Sequence, residues 1–534
     1  MYKRLLNLCS VIIFIFMFLC YRVYVVQKDM ELKESSPSIQ KENISDVNTL
    51  ILDSNGKDLL SYKKEYYLVL DRKPFRLNDP TMNLDNLLAF NYIMRNDNED
   101  FSLGKLFEKT NKEYIKISKE TYYKLQELPE LKGVYTFVKD VVEGNEAWKI
   151  ENVLSTFYNS VEKDGKIKNE LKSLGTLERT LYDYTKENEK AKEEFVLGRD
   201  AVYASNNYDI SKNNINIKTT LNSSWQEKIR EVLNDPKYSE LDNAGVVIIE
   251  ADTGKIKSLV QKNEQEPNVI LGGTYGYEPG SIFKLLTEEI GLEKGIVKET
   301  GKISCLGEYC NRNGKPYAHG AIDIQTALKV SCNEFFQKIG LEVTYNNLYE
   351  FAKEQGLFSK VLNLENERIG EADKNGGVTN FAIGQSFVTT PLQMAGIIGP
   401  IVNNGIYIKP YIIDSLVDQK GNTIKVFNSE ETKKVISEST ASKVKRDMKS
   451  VVGDGSGYNA KISGIDIGGK TGTANGAGDD YGSFLGYFNL GDKYYSMNVF
   501  VPGISGKNKD GEELVGGNTA APIFKDVILT LSKK

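Results

Sequence analysis

The chain has 534 residues, of which 40% are hydrophobic and 26% are charged, a globular composition with enough length for two or three domains. Its formal net charge of −5 and its pI near 5.5 argue against a nucleic-acid-binding surface. The single histidine, His319, leaves too little material for a Ser-His-Asp triad or a two-histidine zinc protease site.

The N-terminal segment, residues 1–26, predicts a membrane anchor. Lys3 and Arg4 precede an apolar run, residues 5–21, which together with the next five residues is long enough to cross a bilayer core of about 30 Å. The alternative is a cleaved signal peptide, but no small-x-small cleavage site follows the run. The basic residues favour a cytoplasmic N-terminus, which predicts a single-pass membrane protein with the chain after about residue 26 outside the membrane.

Residues 27–46 are polar and predict a flexible linker. Beyond them, residues 50–60 predict a strand, an Asn-Gly turn and a second strand. The periodicity that follows predicts helices at 84–94, 119–128 and 151–161, and a charge-rich helix at 183–194 that we assign to a solvated surface.

A shift in composition after residue 215 predicts a domain boundary. We place the first domain at residues 47–215 and the second, larger domain at residues 216–534. Near the start of the second domain, the apolar runs 244–250 and 255–260 are separated by a turn sequence and predict a β-hairpin.

Ser281 and Lys284 are the candidate nucleophile and its base. Ser-x-x-Lys alone is a weak signal, because the chain contains six further copies of it. Here Glu278-Pro279-Gly280 breaks the chain just before Ser281 and an amphipathic helix follows, so the two side chains should lie about one helical turn apart. A lysine accepts a proton only when it is neutral, and burial together with a second nearby ammonium group, that of Lys470, would favour the neutral form.

The second candidate motif is Ser331-Cys332-Asn333, between a predicted helix at 323–330 and another that begins near residue 334. On such a loop Ser331 can relay a proton to a leaving amine. Asn333 can hold Lys284 and a substrate amide through the acceptor and donor ends of its side chain. Taken alone, the motif is more typical of an ordinary polar loop.

Four soft metal ligands surround this second motif. Cys305, Cys310, His319 and Cys332 fall within 28 positions and suit a tetrahedral Cys3His zinc site. The alternative is a disulfide between Cys305 and Cys310, with Cys332 free and His319 structural, which is compatible with a location outside the membrane.

The third motif, Lys470-Thr471-Gly472-Thr473, follows a short apolar strand that contains two glycines. The glycines should leave room for an extended peptide to pair with the strand. Lys470 and the two threonine hydroxyls would meet the terminal carboxylate of that peptide, and the backbone N–H groups of Ser281 and Thr473 suit an oxyanion hole. In this order, the three motifs predict serine acyl transfer with a lysine base and no required cofactor.

With these motifs the chain resembles the class B penicillin-binding proteins, the membrane-anchored D,D-transpeptidases of bacterial peptidoglycan synthesis. The catalytic region carries further landmarks of that family in sequence order. They are Thr219-Thr220-Leu221, residues 244–254, Tyr277-Glu278-Pro279-Gly280-Ser281, His319-Gly320, Gly384-Gln385, Thr390-Pro391-Leu392-Gln393 and Asn404-Gly405. In the first domain the resemblance rests on the shorter segments 53–56, 131–134 and 177–178.

The resemblance implies an α+β fold, in which an antiparallel five-stranded sheet is flanked by helices, a helical subdomain bears the second motif, and an elongated, non-catalytic pedestal domain comes first. It implies that Ser281 attacks the penultimate D-Ala carbonyl of a stem peptide, that D-Ala leaves, and that an amine of a neighbouring stem resolves the acyl-enzyme. β-Lactams would acylate the same serine. A polytopic glycosyltransferase partner is also implied, and some elongation-type relatives hold zinc through the equivalents of His319 and Cys332.

Three other activities use the same motifs. A serine β-lactamase is usually a single short soluble domain with a base that positions a deacylating water, and no motif for such a base is evident here. A β-lactam sensor would carry more membrane segments and a cytoplasmic effector. A D,D-carboxypeptidase differs only in its acceptor, which is water in place of an amine, so the motifs are the same for both activities.

Overall fold

The structure is a computed structural model that describes residues 12–25, 38–104, 111–144, 146–312, 315–475, 480–507 and 511–533. The chain divides into two units. The first comprises Met1–Asn48, Ser61–Val142 and Glu189–Lys212, and the second comprises Thr49–Leu60, Glu143–Asn188 and Asn213–Lys534. Each unit has its own clusters of buried apolar side chains.

An α-helix covers residues 12–25, inside the predicted anchor at residues 1–26. Within the described part of the chain, no helix is long and apolar enough to cross a membrane. Residues 1–11 and 26–37, which include the rest of the predicted anchor and most of the predicted linker at 27–46, lie outside the described residues.

Besides helix 12–25, the described residues of the first unit form two antiparallel three-stranded sheets and three further α-helices. The strand order of one sheet is Glu113–Ile117, Tyr62–Leu70, Val134–Val142, and that of the other is Ile39–Asn43, Lys192–Leu197, Tyr203–Asp209. The helices are Arg72–Phe75, Leu84–Asp97 and Lys119–Gln126.

Two helices of the first unit follow directly from the sequence pattern. Helix Leu84–Asp97 buries Leu87, Phe90 and Met94, because spacings of three and four residues place them on one face. Helix Lys119–Gln126 begins after a serine whose hydroxyl accepts a hydrogen bond from the backbone N–H three residues later. Periodicity predicts both helices, and the structure confirms them.

The predicted helix at 151–161 is wrong in its second half. The helix is Ile150–Ser155, and Tyr158–Lys163 is instead a strand that pairs with Lys166–Leu171. The turn between the two strands is Asp164-Gly165, and both residues have positive φ, which is the geometry of a tight hairpin. The Asp-Gly turn therefore decides the structure of this segment.

The predicted charge-rich helix at 183–194 is also wrong. Helix Leu177–Thr185 ends early in this segment, and Lys192–Leu197 is the central strand of a sheet in the first unit. Glu193 and Phe195 are both buried on this strand, since alternate residues of a strand share one face. Because the buried face includes the charged residue Glu193, the alternation of apolar and polar residues that is typical of a strand is not visible in the sequence.

The second unit is organised around the five-stranded antiparallel sheet that the resemblance predicts. The strands, in spatial order, are Ile256–Gln261, Gly245–Glu250, Lys493–Val501, Asp480–Leu490 and Ile467–Asn475. Alternate residues of one central strand enter two different cores, so that Phe484 and Phe488 pack on one face while Leu485 and Tyr487 pack on the other. The predicted hairpin at 244–260 forms the first two strands.

Helices cover both faces of this sheet. Ser223–Leu233 and Ala520–Ser532 contribute to the core around Phe484, and Lys284–Glu293, Asn333–Val343 and Glu438–Asp454 contribute to the core around Leu485. The other α-helices of the unit are Ile150–Ser155, Leu177–Thr185, Ile324–Lys329, Tyr345–Glu354, Gly377–Phe381, Pro391–Gly396 and Ile398–Val402.

Shorter elements complete the second unit. A four-stranded sheet has the order Ile51–Leu52, Asn216–Thr219, Ile413–Val417, Thr423–Val426. The remaining strand pairs are Ile303–Cys305 with Gly320–Ile322, Asn311–Arg312 with Lys315–Pro316, Glu371–Ala372 with Phe387–Val388, and Ile406–Ile408 with Thr432–Lys434. Short 3₁₀ turns are Pro236–Tyr238, Val269–Leu271, Gly280–Phe283, Lys374–Gly376 and Tyr458–Ala460. The α+β class is confirmed, while the predicted domain boundaries stay predictions.

Candidate active site

Ser281 lies on the short turn Gly280–Phe283, which leads directly into helix Lys284–Glu293. Gly280 has a φ of +58° and its N–H donates to the carbonyl of Gly384 at 2.8 Å. A Cβ atom on Gly384 would lie 2.0 Å from the carbonyl oxygen of Gly280, so only glycine fits there. The entry of the nucleophile turn is therefore fixed by a contact with a segment about a hundred residues later in the chain.

Lys284 lies one helical turn after Ser281, with its Nζ atom 3.0 Å from Ser281 Oγ. The lysine side chain is fully buried. Burial lowers the pKa of Lys284 to about 7, because removing an ammonium group from water disfavours its charged form. A neutral amine is therefore accessible near neutral pH, beside the hydroxyl that it has to deprotonate.

The second motif contacts the same amine. Lys284 Nζ donates to the Ser331 carbonyl at 2.9 Å, to Ser331 Oγ at 3.1 Å and to Asn333 Oδ1 at 2.5 Å. Ser331 has a φ of +55°, the left-handed region, which allows its carbonyl and its side chain to face the same atom. Asn333 Nδ2 donates to the carbonyl of Tyr309 at 3.3 Å, and this contact directs the amide oxygen towards the lysine.

Lys470, on the edge strand Ile467–Asn475, contacts the hydroxyl of Ser331 as Lys284 does. Its Nζ atom donates to Ser331 Oγ at 2.9 Å and to the Thr471 carbonyl at 3.0 Å. Lys470 is fully buried, and burial followed by the nearby charge of Lys284 holds its pKa well below the usual range. Two buried lysines that share one hydroxyl disfavour each other's charged forms.

The rest of the third motif lies along the strand. Thr471 Oγ1 is hydrogen-bonded to Ser456 Oγ at 2.9 Å, whereas Thr473 is exposed and its Oγ1 accepts from the N–H of Gly516 at 3.1 Å. A Cβ atom on Gly472 would come within 2.3 Å of Ser483 Oγ. Glycine is therefore required at this position by contacts within the protein.

Gly468 and Gly469, the two glycines before Lys470, are required for a different reason from the predicted one. A Cβ atom on Gly468 would lie 2.6 Å from the ring of Tyr487, and one on Gly469 would lie 2.5 Å from the ring of Phe484. The space beside these glycines is filled by aromatic rings of the adjacent strand. Because Ile467–Asn475 is the last strand of the sheet, its other edge still provides backbone groups with which a peptide can pair.

All five predicted catalytic residues, Ser281, Lys284, Ser331, Asn333 and Lys470, are brought together in this way. Sequence reasoning misses several residues that support them. Glu334 accepts hydrogen bonds from the N–H groups of Leu306, Gly307 and Glu308, and so fixes the loop that contains Tyr309. An acidic residue in the first turn of a helix is common, so the sequence gives no signal for this role.

The four predicted metal ligands also come together, next to the second motif in sequence. The ligand atoms of Cys305, Cys310, His319 and Cys332 all lie within 4.8 Å of one another. Neighbouring atoms are 3.4 to 3.7 Å apart, against about 3.8 Å between sulfurs in a tetrahedral zinc site with Zn–S bonds of about 2.3 Å. The residues present therefore fit zinc in both chemistry and spacing.

The alternative prediction for this cluster, a Cys305–Cys310 disulfide, does not match the structure. Both cysteines are free, and their sulfur atoms are 3.7 Å apart. A disulfide requires about 2.05 Å between the two sulfur atoms. A group of three thiols and one imidazole at contact distance is instead the pattern of a shared ligand site.

A serine at the start of a helix whose hydroxyl contacts a buried lysine, with a second serine that joins this lysine to Lys470 of the sheet's edge strand, defines a serine acyltransferase that uses lysine as its base. The chain belongs to the penicillin-binding protein transpeptidase family. The family model described as the penicillin-binding protein transpeptidase domain matches residues 244–529, which is more than half of the 534 residues. The predicted recognition is thereby confirmed.

Named relatives agree with this assignment. The chain is 26% identical to stage V sporulation protein D of Bacillus subtilis over 520 residues, which are 90% of this chain and 77% of that protein. It is 25% identical to the peptidoglycan D,D-transpeptidase PbpA of Mycolicibacterium smegmatis over 327 residues, covering 53% of this chain and 66% of that protein. A crystal structure of penicillin-binding protein 3 from Mycobacterium tuberculosis, complexed with ampicillin, has a similar fold, with a TM-score of 0.58 and 17% identity over 92% of this chain and 95% of that one.

Proposed function

We propose that this protein is a peptidoglycan D,D-transpeptidase in which Ser281 is the nucleophile and Lys284 is its base. One observation carries the proposal: the amine of Lys284, fully buried and with a pKa of about 7, lies 3.0 Å from the hydroxyl of Ser281. General bases work best when their pKa is close to the working pH. The lysine is therefore suited to deprotonate the serine without a histidine.

In the acylation step, neutral Lys284 takes the proton of the Ser281 hydroxyl while Oγ attacks the carbonyl carbon before the terminal D-Ala of a stem peptide. A tetrahedral intermediate forms, with the negative charge on the former carbonyl oxygen. The backbone N–H groups of Ser281 and Thr473 are the donors that we assign to this oxygen. Asn333 and the Ser331 carbonyl hold Lys284 in place during the transfer.

The tetrahedral intermediate collapses when the C–N bond to D-Ala breaks and the leaving nitrogen receives a proton. Ser331 Oγ lies 3.1 Å from Lys284 Nζ and 2.9 Å from Lys470 Nζ, so it can pass the proton from the protonated base to the leaving amine. In the second half of the reaction, the amine of a neighbouring stem attacks the acyl-enzyme and the same groups work in reverse. The products are a cross-linked peptide and the free enzyme.

Substrate binding is assigned to the edge strand Ile467–Asn475. The stem peptide would pair with the open edge of this strand, with its terminal carboxylate near Lys470, Thr471 and Thr473. Glycine at position 472 allows the strand to lie against Ser483, as its missing Cβ shows. β-Lactams mimic the D-Ala-D-Ala end of the stem peptide and would acylate Ser281 in the same site.

Labelling with fluorescent penicillin tests the proposed nucleophile. We expect the wild-type protein to form a covalent adduct and Ser281→Ala to form none. Ser442→Ala is a matched control, because Ser442 begins another Ser-x-x-Lys sequence in the same unit and is exposed. Labelling of the Ser281 variant at the wild-type level would overturn the proposal.

The choice between transpeptidase and carboxypeptidase is tested with a stem pentapeptide and an excess of an amine acceptor. A transpeptidase releases D-Ala and forms the amide-linked product, which mass spectrometry detects. Release of D-Ala with no amide product would show that water is the acceptor. A β-lactamase would instead hydrolyse its penicillin adduct rapidly. A long-lived adduct would therefore exclude β-lactamase activity, and a short-lived one would reveal it.

We also propose that Cys305, Cys310, His319 and Cys332 hold a structural zinc ion. Zinc would tie the loop around Tyr309 to Cys332, the middle residue of the second motif, and it would take no part in proton transfer. We expect about one zinc ion per chain in the wild type and a lower melting temperature after chelation. A metal-free wild type whose melting temperature equals that of Cys332→Ser would reject the site.

The N-terminal segment is proposed to anchor the protein in the cell membrane, with the catalytic region outside and a polytopic glycosyltransferase as partner. The support is the apolar helix at residues 12–25, whose large apolar side chains from Ile12 to Tyr24 are each more than half exposed. Residues 47–215 are proposed as a pedestal and residues 216–534 as the catalytic domain. Membrane fractionation of the full chain, compared with a chain that begins at residue 38, tests the anchor. We expect only the full chain to sediment with membranes.

A further inference from the structure

The first unit contains a cavity of about 480 Å³ that the proposed function does not use. We call it the edge cleft and define it by two runs of three consecutive residues, 134–136 and 203–205, together with Tyr122 and Glu193. Every residue that lines it belongs to the first unit. A volume of this size is typical of ligand-binding sites.

The cleft opens along the edges of two different sheets. Val134–Val142 is the last strand of one three-stranded sheet, and Tyr203–Asp209 is the last strand of the other. Consecutive residues of a strand point to opposite faces of its sheet, so three consecutive residues can line one cavity only if the cavity lies at the strand edge. Both strands meet this condition in the cleft, which therefore offers two open edges for backbone pairing.

The open edge of strand Val134–Val142 has a defined start and end. At one end, the N–H of Gly133 donates to the carbonyl of Ala201 at 2.9 Å and joins the two chain segments. At the other end, the N–H of Asp140 donates to the carbonyl of Ile44 at 2.8 Å, so the edge is covered from that point on. Six residues, 134–139, lie between these two contacts, and a stretch of this length suits a short extended peptide.

Charge and aromatic rings define which peptide would fit. Among the described residues that line the cleft there are two glutamates, Glu130 and Glu193, and no Lys, Arg or His. Glu193 is only 7% exposed, and one of its oxygens accepts from Ser205 Oγ at 2.7 Å. Tyr135 and Phe195 line the same cleft, with ring centroids 4.3 Å apart and ring planes tilted by 30°. A carboxylate in a cleft lined by aromatic rings favours a cation and disfavours an anion.

The Tyr135 ring of the cleft already contacts one ammonium group of the protein. Lys112 Nζ lies 5.2 Å from the centre of the Tyr135 ring and 5.1 Å from that of Tyr114, and it pairs with Glu42 at 2.7 Å. That arrangement is an ammonium group held by two tyrosines and a buried carboxylate. The edge cleft presents the same kinds of groups with no cationic side chain among its lining residues.

We propose that the edge cleft binds an extended segment of a partner protein, which pairs with an open strand edge and places a Lys or Arg side chain against Glu193. Stem peptides of the cell wall also carry amines, but their L and D residues alternate. A chain of alternating configuration cannot follow a regular strand over the whole open stretch, because L and D residues favour φ of opposite sign, whereas in the active site only the last residues of a stem peptide have to pair with the edge strand. The two open edges therefore favour an all-L segment.

Titration calorimetry with the full chain tests the proposal, after Ser281 has been blocked with benzylpenicillin. The probe is an acetylated and amidated five-residue peptide, Thr-Val-Lys-Val-Thr, compared with the same peptide carrying Gln or D-Lys at the centre. We expect the Lys peptide to bind at least tenfold more tightly than either comparison peptide. Equal binding of the Lys and Gln peptides, or no saturable binding, would overturn the proposal.

Variants locate the binding. Glu193→Gln should remove the preference for Lys over Gln, whereas Glu194→Gln should keep it, because Glu194 pairs with Lys41 on the other face of the same strand. Equal binding of the L-Lys and D-Lys peptides would mean that the amine alone is recognised, as in a stem peptide, and would reject the partner segment. The comparison of peptides uses the wild type, so it decides the matter even if a variant fails to fold.

Discussion

Lys284 and Lys470 donate to the same oxygen atom, Ser331 Oγ, at 3.1 and 2.9 Å. The two lysines come from a helix and from an edge strand that are almost two hundred residues apart in sequence, and both side chains are fully buried. Each ammonium group would disfavour the other. The pair therefore keeps a neutral amine next to Ser281 and leaves one proton for the leaving group.

The acylation rate should depend on pH through Lys284. Burial lowers the pKa of Lys284 to about 7, so the base is neutral above that pH and protonated below it. We expect the second-order rate of penicillin acylation to fall about tenfold for each pH unit below about 6 and to level off above about 8. Stopped-flow measurement between pH 5 and 9 provides the profile, and a flat rate across that range would contradict the role of the lysine.

Ser331→Ala should separate the two lysines without disturbing the fold. The variant keeps the Ser331 carbonyl that contacts Lys284 and removes only the shared hydroxyl. We expect penicillin acylation to slow by about 10²- to 10⁴-fold, the usual contribution of a positioned proton-transfer group. Thr471→Ser, which retains the hydroxyl bonded to Ser456, is the control and should stay within a few-fold of wild type.

Gly384→Ala should destabilise the protein and abolish acylation. The added Cβ would lie 2.0 Å from the Gly280 carbonyl oxygen, and Gly384 has a φ of +82°. We expect a loss of at least about 3 kcal/mol in the free energy of unfolding, in the range of severe steric substitutions. Gly399→Ala is the matched control, because no atom lies within 4 Å of its added Cβ inside helix Ile398–Val402, and it should remain within about 1 kcal/mol of wild type.

Much of this site could be predicted from the sequence, because the chemistry is concentrated in three short motifs whose order and local setting are visible. Apolar periodicity predicts the helix after Ser281 and the strand that contains Lys470. What could not be predicted are contacts between distant segments, such as Gly280 with Gly384 and Ser456 with Thr471. Sequence spacing carries no information about such pairs.

The errors in the fold have a similar origin. Glu193 is buried on a strand although the surrounding residues are charged, so the local composition indicates a solvated helix where the structure has a sheet. The glycines before Lys470 are required by Tyr487 and Phe484 of the adjacent strand. In both cases a partner that is distant in sequence determines the local structure.

Glu289→Gln should change the pH dependence of stability. Glu289 is fully buried, Gln355 Nε2 donates to it at 2.7 Å, and burial raises its pKa to about 8. Because the folded-state pKa lies above the ordinary value, the folded state retains this proton between about pH 4.5 and 8, and stability falls as pH rises through that window. We expect the variant to equal wild type at pH 5 and to melt at a higher temperature at pH 9.

Thermal melts of both proteins across this pH range provide the measurement. Glu299→Gln is a suitable control, because Glu299 is partly exposed and pairs with Arg446 on the surface. A surface carboxylate of this kind should leave the pH dependence nearly unchanged. A Glu289 variant that loses stability at pH 9 would mean that the carboxylate is required in its charged form.

The most direct test of the central claim is to locate the penicillin adduct by tandem mass spectrometry in the wild type and in Lys284→Ala under identical conditions. We predict an adduct on Ser281 in the wild type and a rate of adduct formation at least about 10³-fold lower in the variant, with the two proteins equally folded by circular dichroism. An adduct on another serine, or an undiminished rate without Lys284, would contradict the account.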